Sequence, residues 1–556
     1  MKRFFISILS AFALIAAKGN NDALIFEAMQ LEMERSMNEL RIPNMPAPFF
    51  INSIISEGEV INVTASLGSL VSSHHRPKVR LAFVRVMTES NELTNDAQFN
   101  NQGVSQTFLT LDNDIDQIRR GLWRVFDQDY KFGLERLTEK RNTLRRMVLS
   151  EVEESLLDFH CAEPVEVLVP SHFTTNIDQA ALEALLERLS EVFMEFPALY
   201  ASNVSLSASQ GVFYNMTSEG TRTRQPLSHV LIRATARVRA NDGAVLSDHA
   251  EIVVNDLSKL PSEEELRAAI SEFASNLQAL GNAPLVTEPY SGPVLFEGDA
   301  VVDIFLRSLL SPRALNAHRR PIIGQQQAIR NLPIGRRVLD PRFTVINHTQ
   351  KTEFNGIPLI GAYSVDGEGI VPEPSLVLVE QGMLKNYLNN RIPTEFAARS
   401  NGNNRIGSTI DFITTDVQPA VLEIQTAEGL SRQALRQQLL DAAREEGLEY
   451  AYIVRKTTGA ARAYQVNVET GVETLMRSPQ LEEIGIRQLR RVGAIASDIR
   501  VTNRLLVNAQ DQWRRAAAFP ASIISPYALL FPDVEINAST VTFETKPAVV
   551  NPLQRD

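Results

Sequence analysis

Residues 364–390 read SVDGEGIVPEPSLVLVEQGMLKNYLNN, a stretch of turns and short strands rather than helix. Asp366-Gly367-Glu368-Gly369 is an acidic loop punctuated by glycine, and Leu376–Val379 is a run of branched apolar residues that reads as a strand. Glu380-Gln381-Gly382 then turns the chain into Met383-Leu384-Lys385-Asn386-Tyr387-Leu388. The chain is of this kind from about residue 290 onward. Short β-rich runs alternate with Gly, Asn and Pro, and Ser431–Glu446 is the one clear helix.

The half before residue 287 is patterned differently. Ala23–Leu40 places Ile25, Met29, Met33 and Met37 on one helical face, which predicts a core stripe. Runs within 49–86 predict strands, a long charged helix, continuous or interrupted, is expected from about Leu122 to Leu157, and Asp178–Met194 is amphipathic. His229–Val238 has the cleanest period-two alternation, with Val230, Ile232, Ala234, Ala236 and Val238 on one face. Ser262 with Glu265 forms a capping-box pattern that opens a helix to about Leu280. The expectation is an α+β protein of two domains, 20–286 mixed with long helices and 290–545 β-rich, followed by a loose tail at 546–556.

Residues 1–17 stand apart. Lys2 and Arg3 precede the apolar stretch Phe4–Ile15 and a small-residue end at Ala16-Ala17, the layout of a secretory leader. The expected location is therefore exported, most simply the periplasm, with no transmembrane segment in the mature chain. The formal charge is −11, and loss of Lys2 and Arg3 deepens it by two. Such an acidic surface repels phosphate backbones and argues against nucleic-acid binding. The basic run Lys131–Arg146 is interleaved with Glu135 and Glu139, so a solvated helix face is expected there. Cys161 is the single cysteine, which excludes an internal disulfide and every cysteine-rich zinc cluster, and it reads as a buried structural thiol.

Several segments in order make the second half specific. Besides 364–390 they are Gly292-Pro293-Val294-Leu295-Phe296-Glu297, Ser400-Asn401-Gly402-Asn403-Asn404-Arg405, Gly447–Arg455 and Pro520–Pro526. Together they resemble the TldD/PmbA family, once called modulators of DNA gyrase and now treated as peptidases and their partners. In the first half the likeness is weaker: Asn215–Thr221 (NMTSEGT) resembles a turn of the family's N-terminal domain. Leu122-Trp123 with the long helix after it looks like an exported branch.

Peptidases of that family carry H-E-x-x-x-H just after the Gly-Pro-Val-Leu-Phe strand, and a distant Cys completes the zinc site. Imidazoles hold the metal, the Glu is general base for the metal-bound water, and an open position takes the peptide carbonyl. Here the corresponding stretch is FEGDAVVDIFLRSLLS, 296–311, an amphipathic run with Val301, Val302, Phe305, Leu306, Leu309 and Leu310 at helical spacing. The motif falls on Leu306, Arg307, Ser308, Leu309, Leu310 and Ser311, so the ligand positions are Leu306 and Ser311 and the base position is Arg307. Arginine cannot act as a base and repels a dication. No Cys follows residue 161, and His318, His348 and the pair His74-His75 lack companions at ligand spacing.

The resemblance implies a non-catalytic subunit of the zinc-lacking PmbA (TldE) type, with no cofactor of its own. Its partner would be a zinc-bearing TldD-type subunit or a second copy, and its ligand an extended or unfolded peptide. Asp366, Glu368 and Gly369, Glu380 and Gly382, and Asn401, Gly402, Asn403 and Arg405 are the candidate groove or family-motif positions. Two alternatives stand beside this: an exported peptide-binding protein acting alone, and a hydrolase rebuilt around Ser308, Ser311 or an acidic pair such as Asp366 and Glu368. Gyrase modulation conflicts with the leader and the charge.

Overall fold

The computed structural model describes residues 2–95, 105–171, 177–310, 314–319, 331–409, 412–507 and 517–539, with the side chains of 2–20 and Thr409 outside that description. The leader side chains, Ser311 and the tail 546–556 therefore lie outside the described residues. Among the described residues no helix is long and apolar enough to cross a membrane.

The first half is a seven-stranded sheet with helices on one face. Its spatial order is Ser105–Phe108, Ser69–Thr88, Pro48–Ser66, Leu199–Thr217, Arg222–Arg239, with Val245–Val254 and Glu166–Leu168 both pairing the last. Alternation sorts the side chains. Ile51, Ile55, Ala82, Val84 and Tyr214 meet Ile25, Met29 and Met33 and the helix Ile115–Leu144. Farther along the same face, Ile61, Val63, Leu206 and the stripe Val230–Val238 meet the helices Gln179–Glu191 and Glu263–Asn282. The predicted methionine stripe, the period-two strand and the Ser262 capping box are all present. Each Val, Leu, Ile or Met side chain so buried contributes about 1.5–3 kcal/mol.

The long helix expected at 122–157 is two elements. Asp114 caps Gln117, so the helix begins at Ile115, and it ends at Leu144. Ser150 and Glu153 then form a second capping box that starts the short helix Glu151–Ser155. Two local start signals compete, and the chain obeys both. The basic run is not wholly a solvated face either: Lys140 is buried, paired with Asp158 and donating to Thr94 O at 3.1 Å.

The second half contains an eight-stranded and a seven-stranded sheet. The strand Tyr290–Glu297 runs in the seven-stranded sheet, parallel to Tyr450–Lys456 and antiparallel to Ala528–Asn537. Its Val294 and Phe296 join Leu376, Leu378, Leu422 and Ile523 of the other sheet in one core. Leu295, on the opposite face, packs against Leu435 and Leu439 of the helix Arg432–Glu445.

Candidate functional site

The stretch 296–311 is not one helix. Phe296 and Glu297 end a strand, Gly298 takes φ +62°, and the helix proper is Asp299–Phe305. Ala300, Val301, Val302, Ile304 and Phe305 are all buried in the core shared with both sheets. That placement explains why so few of its positions are polar. Leu306–Leu310 then widen into a π-turn. Such turns have i→i+5 hydrogen bonding and are frequent at functional sites.

The side chains offered there do not suit a metal. Leu306 packs against the core, Arg307 is exposed, and Ser308 is buried with its hydroxyl donating to Ile484 O at 2.5 Å. Asp303, one turn earlier, accepts the hydroxyls of Thr457 (2.9 Å) and Thr458 (3.0 Å). Among the described residues no three His, Cys, Asp or Glu side chains converge. His348 is held between Ser375 Oγ at 2.7 Å and Glu423 at 2.9 Å, and His75 meets Glu59 at 2.7 Å. A hydrophobe, an arginine and a committed hydroxyl do not fit zinc.

The acidic loop lies inside the molecule. Asp366 and Glu368 are buried, and the loop is gripped by the uncovered face of the N-terminal sheet. Asn52 Nδ2 (2.8 Å) and Asn215 Nδ2 (3.1 Å) both donate to Gly367 O, and Gln225 Nε2 donates to Val365 O at 2.7 Å. Arg85 pairs with Glu368 Oε1 at 2.7 Å, while Glu368 Oε2 accepts the Arg391 backbone N–H at 2.8 Å. Beside them Ile54, Leu81, Phe83 and Phe213 pack on Ile406 and Ile413. The loop thus joins the two halves.

Arg391 completes the junction. Its Nε donates to His160 O at 2.7 Å and a terminal nitrogen to Glu219 at 2.6 Å, with its guanidinium carbon 4.2 Å from the Phe159 ring centre and 4.9 Å from that of Phe50. Glu219 belongs to the turn of NMTSEGT, so two motifs far apart in the chain meet here. Cys161, next in line, is exposed rather than buried, because it lies on the surface segment after Phe159. Local burial and the Glu219 charge hold its thiol above the usual range, which makes it a poor nucleophile.

Asp366 accepts backbone N–H groups from Glu368 and Ile370 at 2.9 Å and from Asn404 at 3.2 Å. Burial, and then the charge of Glu368, nevertheless push its carboxyl up to about 8. A carboxyl raised on folding lends its full stabilisation below its unfolded value of about 4 and loses it as pH rises through the folded one. The stability advantage of the wild type over Asp366→Asn is therefore expected to shrink between about pH 4 and about pH 8. Thermal midpoints of both proteins across that range test it, and a constant gap would show that Asp366 keeps an ordinary carboxylate.

The Asn401–Arg405 segment adjoins this loop. Gly367 N–H donates to Asn404 O at 2.7 Å, and Tyr363 Oη donates to Gly402 O at 2.6 Å. Asn403 Oδ1 accepts Asn347 Nδ2 at 2.8 Å, and buried Arg405 lies 4.9 Å from the Tyr363 ring centre. Burial lowers Arg405 to about 10. Gly369 faces Thr221 across the junction. Glu380 and Gly382 are elsewhere, in the hairpin that pairs Glu380 with Met383, where Glu380 meets Lys385 at 2.9 Å on the surface. Sequence reasoning missed Arg85, Arg391, Asn52 and Gln225, since a single polar residue in a strand or loop carries no local sign of its partner. A cleft of 230 Å³ lies in the first half, lined by Leu67, Phe193, Pro197, Leu199 and Tyr200, none of them part of this junction.

A parallel strand feeding a core helix, the Gly382 hairpin and the Asn401–Arg405 segment thus occur in one β-rich unit. Residues 289–536 match the PmbA/TldA metallopeptidase C-terminal domain. No curated protein sequence matches the chain. Among solved structures, TldE from Thermococcus kodakarensis is similar at 12% identity, covering 92% of this chain and 99% of that one with a TM-score of 0.54. A candidate modulator of a DNA gyrase from Thermotoga maritima is similar at 12% identity, covering 88% and 96%, TM-score 0.53. A third, from Bacteroides thetaiotaomicron and described likewise, covers 92% and 98% at 12% identity, TM-score 0.54. At such identity these likenesses speak for the fold, and they extend it over both halves. In the matched region, the strand Tyr290–Glu297 leads directly into the π-turned helix that carries Leu306, Arg307 and Ser308.

Proposed function

We propose that this chain is a non-catalytic subunit built on the PmbA/TldA domain. It assembles with a zinc-bearing TldD-type subunit, and the complex cleaves extended or unfolded peptides, with hydrolysis on the partner. The observation that carries the reading is the set of side chains on the helix after Tyr290–Glu297: Leu306 at a ligand position and exposed Arg307 at the base position. The chain would shape and enclose the peptide path, and backbone pairing along strand edges would supply affinity without side-chain selectivity. The leader at 1–17 supports export to the periplasm.

A peptide-binding protein acting alone is the second reading, favoured by the same lack of ligands. A rebuilt serine hydrolase is disfavoured, because the Ser308 hydroxyl is buried and already donates to Ile484 O. The test is purification of the chain from its native source, with metal analysis and a peptidase assay with and without co-purifying protein. The expected result is less than stoichiometric zinc, no cleavage alone and chelator-sensitive cleavage with the partner. One zinc per chain, or chelator-insensitive cleavage by the chain alone, would overturn the proposal.

A further inference from the structure

Three adjacent strands of the eight-stranded sheet bring together a hydroxyl, an imidazole and a carboxylate that lie far apart in the chain. Phe343–His348 runs between Ser375–Glu380 and Val421–Thr426, antiparallel to both. Ser375 stands directly opposite His348, and Glu423 stands opposite Ile346, two residues along on the same face. Ser375 Oγ is 2.7 Å from His348 Nδ1, and Glu423 Oε2 is 2.9 Å from His348 Nε2. Ser375 is exposed, His348 is partly buried and Glu423 is buried. Because the set is assembled across strands, no spacing in the sequence announces it.

These contacts fix where the proton sits. A carboxylate oxygen 2.9 Å from Nε2 would repel a bare lone pair, so Nε2 carries the hydrogen of the neutral ring, although Glu423 lies off the line of that N–H bond. Nδ1 is then bare and accepts the Ser375 hydroxyl. Burial outweighs the opposing charge of Glu423 and, with Lys351, holds the imidazole below its usual value of about 6.5. The ring is therefore neutral, and able to take a proton, at about pH 7. Glu423 is itself held by Lys351 Nζ at 2.5 Å and Gln425 Nε2 at 3.0 Å. A nucleophile, a base and a third group beside the base make the signature of an activated hydroxyl.

We propose that Ser375, His348 and Glu423 form a nucleophilic site that hydrolyses small esters. Ser375 Oγ bonds to the ester carbonyl carbon while His348 Nδ1 takes its proton. The C–O bond to the alcohol breaks and the alcohol leaves with that proton; water then releases the acid from Ser375 by the same path. The two ring nitrogens serve in the opposite order from the familiar serine-protease triad, with serine on Nδ1, and the proton path is unchanged. Glu423 acts through His348, stabilising the imidazolium formed in each step. The substrate class follows from the setting. Glu373, Pro374 and Ser375 are exposed, so a small ester reaches Oγ, but an open rim offers little binding energy to drive off a poor leaving group such as an amine. The site is separate from Leu306 and Arg307 and independent of the reading of the chain as non-catalytic toward peptides.

The full chain is treated with a fluorophosphonate, whose phosphorus bonds to Ser375 Oγ as fluoride leaves, and separately with p-nitrophenyl acetate. The expected result is one label per chain, mapped to Ser375 by peptide mass spectrometry, and ester turnover that a chelator does not affect. Ser375→Ala, at an exposed position, should abolish both, and His348→Gln should slow labelling at least about 100-fold. The labelling rate should rise with pH to a plateau, with a midpoint below about 6.5. Glu423→Gln should move that midpoint lower still, because the carboxylate no longer favours the imidazolium; a purely structural glutamate would leave it in place. Circular dichroism verifies the fold of each variant. Absence of label at Ser375 overturns the proposal, as does labelling or turnover that survives Ser375→Ala or is indifferent to His348→Gln. Peptide cleavage lost with Ser375→Ala would overturn the restriction to esters and the non-catalytic reading together, whereas zinc on the chain would overturn that reading alone.

Discussion

Replacing Arg391 by alanine is expected to destabilise the protein by about 3–5 kcal/mol, the cost of breaking a buried ion pair from one side. The variant leaves His160 O without its donor and Glu219 with the Ala162 N–H but no cation, and it removes the cation lying over Phe50 and Phe159. The stacking alone contributes about 0.5–2 kcal/mol. Arg391→Lys should recover little, because one ammonium cannot serve a carboxylate and a carbonyl while lying flat on two rings. Urea denaturation gives the magnitude. Hydrogen exchange gives the place: protection should fall first in Val365–Gly369 and the turn at Thr217–Thr221, both held by this junction. A loss below about 1 kcal/mol would mean that the junction rearranges around the missing side chain.

Gly382→Ala is expected to cost about 2–5 kcal/mol, from two separable sources. Gln381 and Gly382 have φ of +48° and +76°, the two-residue turn that suits the twist of a hairpin. A side chain in that left-handed region costs about 1–2 kcal/mol. In addition a Cβ on Gly382 would sit 2.4 Å from Leu339 O and 2.9 Å from Asp340 O, backbone atoms that cannot swing away. Overpacking of that kind costs about 1–3 kcal/mol. Gly382 O also accepts the N–H groups of Val338 and Leu339, so movement of the turn would break those bonds. Gly356→Ala is the control, with φ +79° and open space at its Cβ. Its cost should be the conformational share alone, and equal melting temperatures for the two variants would remove the steric argument.

Elements were legible wherever neighbours within a few residues decide them. Val230–Val238 alternate because the strand buries one face, and Ser262 begins a helix because its hydroxyl and Glu265 satisfy each other's N–H groups. The hairpin at Glu380–Met383 follows from a glycine able to take positive φ. The helix expected at 122–157 is interrupted, an outcome its reading left open, but local composition does not mark the place: residues 145–149 keep a helical composition, and the cap at Ser150 starts the second piece.

The candidate site divides along the same line. That Leu306 and Arg307 cannot bind or activate as His and Glu would is a matter of side-chain chemistry, readable without coordinates. Ser308 looked like a spare nucleophile until its hydroxyl was found spent on Ile484 O, 176 positions away. Asp366-Gly367-Glu368-Gly369 was legible as an acidic turn, but not its partners: Arg85 for Glu368, Asn404 for Asp366, and Asn52 and Asn215 for Gly367 O, Asn52 standing 315 positions away.

The sequence by itself determined the α+β character, the alternating strands, the caps, and that Leu306, Arg307 and Ser311 stand where the motif would place two histidines and a glutamate. Those properties depend on residue identity and on contacts within one or two turns. Tertiary structure alone decided that Lys140 is buried, that Cys161 is exposed, and that the acidic loop joins two halves. Burial and pairing depend on which segments meet, and that is set by packing summed over the whole chain rather than by any local pattern.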